Sequence, residues 1–145
     1  MIKEFNYYLN NNLVRKSTPD KGEATSLMEK ANGRLLFSIN SRDLNNNTAP
    51  YVFEDVYECL REAAQSLMSL KGYKPYSHEA LISFLKEKFS FPDQHINSLN
   101  RFRILKNKSV YGGEKISLET CKESLHLLKT FLPQLKKEFN KLIRK

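Results

Sequence analysis

Between Pro50 and Gly72 the residues Phe53, Val56, Tyr57, Leu60, Ala63, Ala64, Leu67, Met68 and Leu70 fall on one broad face of a helix, and no other stretch constrains the fold so much. A helix this apolar has to be surrounded. Pro50 stands where a helix starts and Gly72 where one closes, so the segment is expected to be the central core helix of a bundle. Its other face carries Glu54, Asp55, Glu58, Arg61 and Glu62. That face is expected to be an ordinary solvated one, although its carboxylates are able to pair with basic residues from later in the chain.

The remaining segments supply partners for this helix. Ser17-Thr18-Pro19-Asp20 is a helix-start signature, after which Ala24, Leu27, Met28, Ala31, Leu35 and Ile39 recur at three- and four-residue intervals up to the polar loop Asp43 to Thr48. Tyr73-Lys74-Pro75-Tyr76 reads as a stiff turn, and Ser77 as the N-cap of a shorter helix with Leu81, Phe84 and Leu85 inward. Ser117 opens a last helix, on which Leu118, Cys121, Leu125, Leu128, Leu132, Leu135, Phe139 and Leu142 form a regular stripe. Pro133 removes the donor for the Lys129 carbonyl there and predicts a kink. The first sixteen residues are aromatic and Asn-rich, a short helix or a packed arm. Strand signals are weak throughout. The expectation is one all-α domain over residues 1–145, an up-and-down bundle of four to five helices with a kinked C-terminal helix.

A chain of 145 residues with 40% hydrophobic content can bury one core. Cys59 and Cys121 both fall at apolar helical positions and read as reduced core residues of a cytoplasmic protein. His78, His95 and His126 have no spacing with one another or with carboxylates that would hold a metal, and no apolar run approaches bilayer length. Neither metal, cofactor nor membrane contact is expected. The net charge of +8 is unevenly placed: Met1 to Ile96 carries 12 basic and 12 acidic residues, Asn97 to Lys145 carries 12 basic and 4 acidic. A concentrated positive field of this kind attracts polyanions, nucleic acid first.

That field begins at the stretch from Asn100 to Gly113. The run from Ile96 to Val110 contains no Pro or Gly, follows Phe91-Pro92-Asp93 and stops at a Gly pair, which are start and stop signals of a helix. Arg103, Lys106, Asn107 and Val110 share one stripe of it, with Tyr111 at the edge, and the stripe continues the line of Ile96 and Leu99. Cationic and amide groups aimed along an apolar stripe are costly to bury unless paired, so they mark a site unless they snorkel into water. His78 lies in the first turn of its helix, where the dipole disfavours imidazolium; it is expected to be neutral and to accept a hydrogen bond.

Three segments, in this order among the helices, resemble the HEPN superfamily: Tyr51 to Arg61, Lys71 to Ala80, and Arg103 to Gly112. The resemblance covers about residues 17 to 140. It implies a bundle of four or five helices that forms homodimers, with the polar motif of each subunit at a shared cleft. Many members are metal-independent endoribonucleases, serving as toxins in toxin and antitoxin pairs or in phage defence; others accompany small nucleotidyltransferases. The active pattern of the family is Arg, often followed by Asn, with four to six residues before a His. On this chain Lys106 falls at the Arg position, Asn107 matches the Asn, and Tyr111 stands where the His should be.

Metal-free RNA cleavage needs a group that takes the 2′-OH proton near neutral pH and a cation that stabilises the phosphorane. Histidine, with a pKa of about 6.5, supplies the first; tyrosine, at about 10, does not. Losing a positioned base costs roughly two to four orders of magnitude in rate. The resemblance therefore implies a basic RNA- or nucleotide-binding cleft, weakly active or inactive as a ribonuclease. Lys106 and Tyr111 occupy its catalytic positions beside Arg103 and Asn107, Arg101, Arg103, Lys106 and Lys108 bind the anion, and His78 supports them. The alternative is a non-catalytic dimeric interaction module that pairs with a nucleotidyltransferase or an antitoxin.

Overall fold

Six helices and one short ribbon follow one another through a computed structural model that describes all residues, Met1–Lys145. In chain order they are α1 (Phe5–Asn10), β1 (Val14–Lys16), α2 (Lys21–Arg34) running into a π-helical turn (Leu35–Ile39), α3 (Ala49–Lys71), β2 (Tyr73–Pro75), α4 (His78–Lys88), α5 (Asp93–Gly112) and α6 (Leu118–Ile143). The expected all-α bundle is what forms. It has five principal helices and the short helix of the N-terminal arm.

The apolar face of α3 dictates the arrangement. Phe53, Val56, Leu60, Ala63, Ala64, Leu67 and Met68 have no exposed surface, and α2 and α6 pack along the helix on its most extensive contacts. Burying a side chain of this size contributes about 1.5–3 kcal/mol, so this helix supplies the largest share of the core. Gly72 ends it at φ 82°, in the left-handed region. Its carbonyl accepts from Ser17 N at 2.6 Å, and a Cβ there would lie 2.5 Å from the Ser17 carbonyl oxygen. Only glycine meets both conditions.

Two expectations need correction. Tyr73–Pro75 is not merely a turn but a strand that pairs antiparallel with Val14–Lys16, in the register Val14↔Pro75, Arg15↔Lys74 and Lys16↔Tyr73. A residue before proline is driven into extended backbone, which holds Lys74 straight, and Tyr76 N clamps the end on Leu13 O at 2.8 Å. The acidic side of α3 is not a solvated face either. Glu62 is 1% exposed and accepts both Nε and a terminal nitrogen of Arg34, at 2.9 and 3.2 Å. Arg34 also donates to Asp55 at 2.9 Å, and Arg42 reaches the same carboxylate at 3.1 Å. The cations come from the end of α2 and the loop after it, which the packing of α2 on α3 lays across these carboxylates.

The helix caps and the two buried cysteines stand where the spacing places them. Asp20, Ser77 and Ser117 cap α2, α4 and α6 by accepting from the N–H of Glu23, Glu79 and Thr120. Cys59 and Cys121 are buried free thiols, and burial pushes Cys59 up to about 12. α6 runs on without interruption through Pro133, which lies on its exposed side. No helix is long and apolar enough to cross a membrane, and no group of three or more His, Cys, Asp or Glu residues is placed to hold a metal.

Candidate functional site

Helix α5 is anchored by Ile96, Leu99 and Phe102, and the Phe102 ring stands edge-on to Phe53 of α3 at 5.5 Å. This contact sets the rotation of α5. The next residues on the same stripe, Arg103 and Lys106, are carried against the flank of α3, where their side chains are only 12% and 16% exposed. Lys106 Nζ lies 3.2 Å from a Glu58 carboxylate oxygen and above the Tyr57 ring. The other Glu58 oxygen accepts two bonds from Arg61, at 3.0 and 2.7 Å, and Arg61 donates onward to Gln65. Arg103 donates to the Asn100 side chain at 3.0 Å and lies 3.8 Å from Glu79, whose second oxygen accepts from the hydroxyl of Tyr8.

Three cations thus face two carboxylates at the junction of α3, α4 and α5, and one positive charge is left over. Burial opposes ionisation of Glu58, but the hydrogen bonds and charge of Arg61, followed by Lys106, outweigh it and hold the carboxyl below the usual carboxylate range. Glu58 is a fixed anion at neutral pH, not a base.

His78 completes the junction. Its Nδ1 lies 3.3 Å from the hydroxyl of Tyr57, a side chain that is 2% exposed and has no other hydrogen-bond partner. Burial raises the pKa of that phenol, so it keeps its proton. A buried hydroxyl with one partner satisfies its proton by donating it. Nδ1 is then the acceptor, and the neutral ring carries its own proton on Nε2, on the edge away from Tyr57. Partial desolvation of the ring and then the Arg61 charge lower the pKa of His78, although one side of the residue remains exposed. A neutral ring that accepts at Nδ1 is the state that the Tyr57 contact and the lowered pKa favour.

The structure brings Arg103, Lys106 and His78 together and leaves other sequence candidates apart. Arg101 is exposed, paired with Glu123 of α6 and stacked over Phe102. Lys108 is exposed, Asn107 is half-buried without a hydrogen bond, and Tyr111 is 82% exposed beyond the last packed turn of α5. Tyr57, Glu58 and Arg61 belong to the site; the spacing marks Tyr57 as core and puts Glu58 and Arg61 on the face of α3 whose carboxylates are able to pair with later basic residues, as Glu58 does with Lys106. The signal for the Glu58–Arg61 pair is its i, i+3 spacing, which lets a carboxylate and a guanidinium pair on one helix.

The cationic groups of the junction, two guanidiniums and an ammonium, are largely covered, and each lies within 4 Å of Glu58 or Glu79. Donors of this kind are able to take an oxyanion only where it competes with those carboxylates. The junction offers no free base near neutral pH. Comparison with protein-family models, with curated proteins and with solved structures finds no match to this chain.

Proposed function

We propose that the chain is a helical-bundle RNA-binding protein of the HEPN type, which holds phosphates at the junction of α3, α4 and α5 without cutting the strand. The observation that carries this is the Tyr57–His78 hydrogen bond, which turns the one histidine beside the cations into a donor. Arg103, Lys106 and Arg61 bind phosphate oxygens by charge, and the Nε2–H of His78 adds a directed bond. No group is left to take the 2′-OH proton, since Tyr111 stands 82% exposed without a hydrogen-bond partner and Glu58 is held ionised by two cations. Ile104, Val110 and Tyr111 stand exposed along the end of α5, and in the homodimer that the resemblance implies a second copy would cover them.

The test is incubation of end-labelled single-stranded RNA with the purified protein in excess EDTA, beside Arg103→Ala and Lys106→Ala proteins. Full-length RNA, retained in a salt-sensitive way and lost from both variants, is the expected result. Cleavage by the wild type that both substitutions abolish would overturn it.

A second reading, a partner-binding module without nucleic acid, is favoured by one observation. Each of the three cations already has a carboxylate of its own chain within 4 Å, as a purely structural network would. RNA neither bound nor cut is its signature in the same experiment.

A further inference from the structure

We propose that the seam between the π-helical turn and α6 is a docking groove for an acidic amphipathic helix of another protein. The groove shares no residue with the cationic junction, so the proposal stands apart from RNA binding. A hollow of ≈ 450 Å³ lies between Leu35 and Asn40 on one wall and α6 on the other, with Leu125, Leu128 and Leu132 as its apolar floor. A second hollow of ≈ 340 Å³ continues it past Lys136 to Phe139 and Asn140, against α2. At 1.5 Å per residue, the α6 segment from Leu125 to Asn140 is about 22 Å long, the reach of about four helical turns. A long channel walled by helices takes apolar side chains spaced at three and four residues, which is the pattern of a helix laid in a groove.

Charge selects the occupant. Lys129 and Lys136 line the first hollow, and neither takes part in any of the ion pairs of the chain. Asp or Glu residues flanking the apolar stripe of a partner would complete them. Glu29, in the second hollow, marks the one end at which that partner would place a base instead. Pro133 lies in the wall and has no N–H, so the carbonyl of Lys129 lacks its i+4 backbone donor. A second copy of this chain fits worse. All of its +8 surplus lies in the part that contains α6, and self-pairing would set lysines against lysines.

The test uses two synthetic helix-stapled peptides of about 18 residues with the same Leu stripe, one flanked by Glu and the other by Lys. Fluorescence anisotropy is measured with the wild-type protein and with the Lys129→Glu/Lys136→Glu variant, whose folding is checked by its melting temperature. The Glu peptide is expected to bind the wild type about tenfold or more tightly than the Lys peptide, and the order to invert on the variant. Equal affinities, no response to the charge reversal, or no binding beyond that of a scrambled peptide would overturn the proposal. So would a wild-type dimer in sedimentation that Leu125→Asp dissociates, because the groove would then be a self-interface.

Discussion

The hydroxyl of Tyr57 lies 3.3 Å from Nδ1 of His78, and this contact favours the ring tautomer with its proton on Nε2. A long-range ¹H–¹⁵N correlation spectrum at neutral pH is expected to show His78 with Nδ1 bare and Nε2 protonated. Tyr57→Phe keeps the ring in the core but removes the donor, at a cost of about 0.5–1.5 kcal/mol, and releases a mixture of tautomers. A wild-type ring protonated on Nδ1 would contradict the assignment.

The lowered pKa of His78 has a definite sign in stability. Below about 6.5 the unfolded chain binds a proton at this residue that the folded chain resists, so stability falls as pH drops from that value toward the folded pKa. Urea unfolding at pH 7.5 and pH 5 is expected to show a smaller loss for His78→Gln than for the wild type. Glu58 acts in a lower window. Its folded pKa is lowered, so its contribution is present above about 4.3 and disappears as pH falls through the folded value; Lys106→Ala is expected to shrink that contribution.

Arg34 holds the almost fully buried Glu62 and the half-buried Asp55. Arg34→Ala leaves the Glu62 charge with only the exposed Lys30, 3.6 Å away, and is expected to lower unfolding free energy by about 3 kcal/mol in urea titration. Replacing both members, Arg34→Met with Glu62→Leu, is expected to cost less than the single substitution, because no unpaired charge remains.

Gly72→Ala tests the hinge between α3 and the ribbon. The new Cβ meets the Ser17 carbonyl at 2.5 Å while the backbone stays in the left-handed region. An expected loss of about 1–3 kcal/mol, read from thermal unfolding, follows from the conformation alone, and the clash adds to it.

The bundle was legible in the spacing of α3 because nine apolar residues on one face leave no arrangement except enclosure. The ribbon was not, since three-residue strands such as Val14–Lys16 and Tyr73–Pro75 are too short to show alternation. For the site, the line through Ile96 and Leu99 does carry Arg103 and Lys106 inward, as their spacing implies. Their partners are a different matter. Which carboxylates of α3 meet them depends on the Phe53–Phe102 contact, a tertiary fact that no local pattern encodes. Tyr111 shows the converse: its position on the helix is as read, but no element packs over the last turn of α5, so the side chain stands in solvent.

The most direct measurement is the salt dependence of binding to single-stranded RNA, by the wild type, by Arg103→Ala and by a control with Lys141→Ala and Lys145→Ala. If the junction holds phosphates, Arg103→Ala weakens binding and lowers the slope of log K against log salt by about 0.7, the share of one phosphate contact. The control then leaves the slope near that of the wild type. An unchanged slope for Arg103→Ala, with the loss falling on the C-terminal lysines, would mean that the positive tail binds RNA and that the junction of α3, α4 and α5 is structural.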